Sequence, residues 1–138
     1  MKNTEPFSGL TFHHVGLIVE SIENSIAHYA KVFGEENISE IFSLGSQQIK
    51  ECFVRNSETS FIGLVEPLNE NSVVYKLLKK RISYYHIAYK VKDIQSMVLQ
   101  LEKLNYKSLE FFKSEAFGNK SCIFLYTPDG HLIELIEE

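Results

Sequence analysis

The sequence has only two cysteines, Cys52 and Cys122, too few for the disulfide framework of a small secreted domain. The first residues, Met1 to Pro6, lack the apolar stretch of an export signal, so both thiols are expected to be reduced, inert packing groups in a cytoplasmic protein. No apolar run approaches the roughly 20 residues that a membrane helix needs. Basic blocks are missing as well. The 14 Lys and Arg are scattered among 18 Asp and Glu, and the net charge of −4 removes the compositional case for nucleic-acid or anionic-membrane binding. Low-complexity segments and flexible linkers are also lacking. What is present, 138 residues of which 44% are hydrophobic, suits one globular domain whose core needs no cofactor or staple for stability.

The most informative feature is an internal repeat. A shift of 72 positions lays Phe12-His13-His14-Val15-Gly16-Leu17-Ile18-Val19 on Tyr84-Tyr85-His86-Ile87-Ala88-Tyr89-Lys90-Val91. In each copy a strand leads into a helix that starts at a small polar cap. Ser21 can cap a helix with Ile22, Ile26, Tyr29, Ala30 and Phe33 on its apolar face and Gly34 at its end. Asp93 can cap a second, with Ile94, Met97, Val98, Leu101 and Leu104 on one face. Three short apolar runs follow each helix, at 40–44, 48–55 and 60–66, then at 108–112, 120–126 and 131–136, the last pair joined by a Thr127-Pro128-Asp129-Gly130 turn. Between the copies, Asn69 to Arg81 reads as a short helix capped by Asn71 or Ser72. The expected organisation is a βαβββ module over 10–68, a linker helix over 69–83 and a second βαβββ module over 84–138, with residues 1–9 as a tail. The fold class is α+β: paired βαβββ modules forming a curved mixed sheet, an incomplete barrel around a cup, with helices on its outer face.

Side chains alternate along a strand, so His14, Gly16 and Ile18 share one face while Val15, Leu17 and Val19 take the face toward the helix. The repeat places His86, Ala88 and Lys90 on the same open, concave face, and the last strand adds Leu132, Glu134 and Ile136. Two histidines at one repeated position and a carboxylate in an apolar strand are a reasonable ligand set for a divalent metal, and Glu134 would be costly to bury unpaired. Three protein ligands leave positions open for a substrate oxygen or water. The fourth strand position, opposite Glu134 by symmetry, is Gly63, which cannot ligate. Glu66 has the opposite parity and is no replacement. By the same parity His13 faces the helix or lies at the start of its strand, His28 and His131 are surface residues, and Glu51 is most simply an exposed strand residue. Lys90 reads as a solvated strand end within reach of an anionic substrate group.

Together, His14-Val15-Gly16-Leu17-Ile18-Val19, His86-Ile87-Ala88-Tyr89-Lys90-Val91 and Thr127-Pro128-Asp129-Gly130-His131-Leu132-Ile133-Glu134-Leu135 resemble the vicinal oxygen chelate superfamily. Its members include glyoxalase I, methylmalonyl-CoA epimerase, extradiol dioxygenases, fosfomycin thiol transferases and bleomycin-binding proteins. The segment from Leu64 to Leu78 is most similar to the strand, Pro-Leu turn and linker helix of methylmalonyl-CoA epimerase. That resemblance implies His14, His86 and Glu134 as ligands of one divalent metal per chain, cobalt, manganese, nickel, zinc or iron. It implies proton abstraction α to a carbonyl or thioester, with Glu51 and Glu134 as the carboxylates that exchange the proton. It further implies a small-molecule substrate such as an acyl-CoA, and a homodimer.

Two departures bear on that expectation. The family's second ligand is Gly63 here, and the final hairpin is shorter. The remaining two-His, one-carboxylate set is similar to that of dioxygenases and thiol transferases. Phe124 stands where the dioxygenase tyrosine is expected, and the Asn69–Arg81 helix makes the spacing between the histidines longer than the transferase pattern. Glyoxalase I also expects a ligand at position 63. The alternative of a different class is a metal-free binding cup of the bleomycin-resistance type, lined by apolar and aromatic groups.

Overall fold

The computed structural model describes residues 9–138. The first module comprises β1 (Thr11–Ile18), α1 (Ile22–Phe33), β2 (Phe42–Leu44), β3 (Ile49–Arg55) and β4 (Phe61–Pro67). The helix α2 (Val73–Lys79) leads to the second: β5 (Tyr84–Val91), α3 (Ile94–Lys103), β6 (Lys107–Ser114), β7 (Lys120–Tyr126) and β8 (Leu132–Glu137). All eight strands form one mixed sheet in the order β2-β3-β4-β1-β5-β8-β7-β6. β1 runs parallel to β4 and β5 parallel to β8, while β1 and β5 pair antiparallel at the centre and join the halves. The expected fold class is the one observed.

Each helix begins where its sequence offers an acceptor. The Asn24 N–H donates to Ser21 Oγ at 3.2 Å, that of Ser96 to Asp93 Oδ1 at 3.0 Å, and that of Val74 to Ser72 Oγ at 3.2 Å. Gly34, at φ 94°, stops α1 where a side chain would be strained. α2 is shorter than the span Asn69–Arg81 suggested. The Asn71 N–H donates to Asn69 Oδ1 at 2.9 Å, folding 69–71 into a turn, and Arg81 leaves the helical region at φ 60°.

α1 packs on the convex face over Cys52, Val54 and Leu64. α3 buries Ile94, Met97, Val98 and Leu101 on the same face against Ile123, Leu125 and Leu135. α2 differs from both. Its Val74 packs with Ile18, Ile49 and Val65, which share strand parity with His14, Glu51 and Gly63, so α2 closes one end of the concave side.

The concave face is therefore not open. His14, Gly16 and Ile18 are buried, whereas Val15 and Leu17 on the convex side are half-exposed. The sheet curls until the 3-10 turn at Glu115–Phe117 reaches across it: Ala116 joins the cluster around Leu44, and the Phe117 ring lies 5.4 Å from that of Phe53. The enclosure is built within one chain.

Candidate metal centre

Two glycines and an alanine let the donors meet. Across the sheet Gly63 pairs with Gly16, and Gly16 with His86. A Cβ on Gly16 would lie 2.7 Å from His86 Cε1, so the bare backbone is the space the imidazole occupies. One register step away His14 pairs with Ala88, and Ala88 with Glu134. Strands two apart are separated by about 10 Å, and the small methyl of Ala88 allows the side chains on either side to close over it. His14 Nε2 lies 3.1 Å from His86 Nε2 and 3.6 Å from Glu134 Oε1, and His86 Nε2 lies 3.3 Å from the same oxygen. All three residues are buried, and the three donor atoms lie within 4.8 Å of one another. This is a set that could hold a divalent cation.

His13 corrects the expectation from parity. β1 carries an extra residue there relative to β5, so His13 turns inward with His14. Its ring lies 4.9 Å from that of Phe61 and 5.4 Å from that of Phe117, and its Nδ1 is 2.8 Å from His14 Nδ1. The second copy repeats the device: Tyr85 is the extra residue of β5, and its ring lies 4.7 Å from His86. Alternation alone hides both bulges, which stand at equivalent positions of the repeat.

Burial sets the charge states. It pushes His14 well below the ordinary imidazole pKa, with the neighbouring His86 and His13 adding to the effect. Burial and then Lys90 bring His13 down to about 4. Lys90 is half-buried and near enough to His13 to act on it, rather than a fully solvated strand end.

Glu51 is buried, not exposed, at 5% accessibility. Burial raises its carboxyl pKa well above the usual range, and the charge of Glu134 raises it further. Glu51 shares a strand face with Phe53 and has no hydrogen-bond or ion-pair partner among the described residues. Gly63 leaves no vacancy. A Cβ there would lie 2.9 Å from His14 Cδ2 and 3.3 Å from Phe53 Cε1, so those two rings fill the fourth position.

Glu66 is on the convex side, where its Oε1 accepts the Ile22 N–H at 2.8 Å. Cys52 packs under α1, whereas Cys122 lies on the inner face with Ala88 and Ile136; burial raises both thiols. His28 and His131 are exposed, as expected. Beside the donor set is a cavity of about 780 Å³ whose walls include Tyr85, Phe112, Phe124 and Leu132. The Phe124 ring lies 5.3 Å from His86.

No curated protein matches the chain by sequence. Among solved structures, methylmalonyl-CoA epimerase from Mycobacterium tuberculosis is similar at 28% identity, over 99% of this chain and 92% of that one, with a TM-score of 0.80. A hypothetical protein from Bacillus halodurans is 26% identical over 94% of each chain, with a TM-score of 0.79. Methylmalonyl-CoA epimerase from Streptomyces coelicolor, solved with 2-nitronate-propionyl-CoA, shares the fold at 22% identity, covering 95% of this chain and 99% of that one, with a TM-score of 0.80. The sequence model of one family matches residues 13–137, which take in both histidine strands and Glu134. The chain belongs to the glyoxalase/bleomycin resistance protein/dioxygenase superfamily.

Proposed function

We propose that the chain is a metal-dependent epimerase or isomerase that moves a proton on the carbon α to a carbonyl or thioester. The observation that carries this reading is the convergence of His14, His86 and Glu134 in a buried interior that holds a second carboxylate, Glu51. Glu134 Oε1 and His86 Nδ1 are buried without hydrogen-bond partners among the described residues. Two carboxylates meet two imidazoles there with no Lys or Arg paired to them among the described residues, a donor set that a divalent cation would complement.

His14 and His86 would bind such an ion through Nε2, and Glu134 through Oε1. When bound, the ion supplies Lewis acidity to a substrate oxygen. The remaining work falls to the chain. Glu51, destabilised as an anion by burial, is a stronger base than a solvated carboxylate and is assigned to take the α proton. It becomes the carboxylic acid, and the electron pair of the broken C–H bond moves toward the carbonyl oxygen. An epimerase must return a proton to the opposite face. Glu134 is assigned that step: its Oε1 faces the histidines, and a proton held on Oε2 at the start of the turnover would be the one returned, leaving Glu134 as the carboxylate and Glu51 as the acid. Phe53, Phe117 and Phe124 exclude water around these groups. The likeness to the Mycobacterium tuberculosis epimerase supports an acyl-CoA thioester as substrate.

A second reading, a metal-free small-molecule binder, is favoured by the aromatic cavity beside His86. Deuterium exchange separates the two. Metal-loaded protein in D2O should place deuterium at the α carbon of methylmalonyl-CoA. Glu51→Gln should slow this by roughly 10²–10⁴-fold while keeping its metal. Exchange in Glu51→Gln at the wild-type rate would remove Glu51 from the chemistry. No exchange by the metal-loaded wild type would count against the epimerase reading for this substrate.

A further inference from the structure

The two halves of the repeat differ at one point that bears on the donor set. Each central strand bulges, β1 at His13 and β5 at Tyr85, and the two positions are equivalent under the 72-residue shift. Each bulge brings a ring beside a donor histidine. Among the described residues only His13 makes a hydrogen bond there, Nδ1 to Nδ1 of His14 at 2.8 Å; His86 Nδ1, beside Tyr85, is buried without a partner among them.

Two ring nitrogens in contact share one proton, and the surrounding contacts decide which ring carries it. Suppose His13 donates. A neutral His14 then carries its proton on Nε2 and donates to His86 Nε2, 3.1 Å away. His86 must in turn hold its proton on Nδ1, where a buried N–H would find no acceptor. In the opposite sense, His14 donates from Nδ1 to His13. The Nε2–H of His86 then donates to the His14 Nε2 lone pair, and only a bare lone pair is left at His86 Nδ1. The second arrangement buries no orphaned donor.

We propose that His13 is a positioning residue that accepts the Nδ1 proton of His14, holding that imidazole as the tautomer whose Nε2 offers a lone pair to the site. Its purpose rests on the metal-centre reading above; its geometry does not. Metal-ligating histidines commonly donate the outer N–H to a neighbour, and at His14 the bulge supplies that acceptor from the adjacent residue, whereas His86 Nδ1 has none among the described residues.

Long-range 1H–15N NMR of histidine-labelled, metal-free protein reads the tautomer directly. His13→Phe keeps an aromatic ring and removes the acceptor, while His13→Asn can place an amide oxygen where Nδ1 stood. Wild type and His13→Asn should show His14 protonated at Nδ1, whereas in His13→Phe, where either tautomer buries one unpaired N–H, His14 should show a mixture of Nδ1 and Nε2 protonation. Cobalt(II) titration should give a Kd about 10–100-fold weaker for His13→Phe and within about threefold of wild type for His13→Asn. His14 protonated at Nε2 in the wild type, an unchanged tautomer in His13→Phe, or equal loss of affinity in both variants overturns the proposal. The wild-type spectrum decides even if a variant fails to fold. Should the tautomers behave as stated while the wild type binds no cobalt, the positioning role stands and the metal-centre reading falls.

Discussion

Gly63 and Gly16 sit side by side in the sheet, yet their hydrogens face different neighbours. At Gly16 the space belongs to His86; at Gly63 it belongs to His14 and Phe53. Position 63 is thus not a ligand site waiting to be refilled. Gly63→Gln would press its Cβ onto a buried imidazole fixed by Phe53 and Phe117 and should cost roughly 1–3 kcal/mol of stability. Cobalt affinity should fall or stay level, because the residue displaced is a donor. A gain in affinity, read by titration, would contradict the packing described. The three donors were legible in the sequence because a histidine recurs at one strand position and a carboxylate interrupts an apolar strand. Glu51 was not legible from alternation: flanked by Lys50, it has the local pattern of a solvated residue, and only the curl of the sheet buries it.

At the scale of elements, the strands, the two long helices and their caps follow from periodicity and short-range acceptors. The bulges do not, since an inserted residue leaves the apolar pattern almost intact while turning His13 and Tyr85 to the other face. The placement of α2 was equally hidden, because its apolar face fits either side of a sheet. Parity did separate Glu66 from the site. Its carboxylate accepts the Ile22 N–H at the start of α1, where negative charge also suits the helix end. Lys50 lies 3.9 Å from it but is 40% exposed and adds little. Glu66→Ala should destabilise the fold by about 1 kcal/mol in denaturant unfolding and leave cobalt affinity unchanged. A lost metal site in that variant would mean that α1 and the donor set are coupled in a way this packing does not provide.

For the whole molecule, closure within one chain is the decisive feature. The same βαβββ pattern is compatible with modules paired within a chain or between chains, and strand order across a sheet leaves no local mark in the sequence. Here β1 and β5 pair antiparallel at the centre, and the Glu115–Phe117 turn meets the β2 edge, so a single chain supplies every donor. On the proposed reading, a metal held in this enclosure would be a structural as well as a chemical partner. An ion at 100 times its Kd would stabilise the folded state by about 2.7 kcal/mol. Metal stoichiometry therefore tests the account most directly. Stripped protein is loaded with cobalt, manganese, nickel or zinc, dialysed and measured by plasma mass spectrometry beside His86→Ala. The account predicts close to one ion per chain with at least one of these metals, lost in His86→Ala. Absence of metal from every loading of folded wild-type protein would contradict it and leave the aromatic cavity of a metal-free binder.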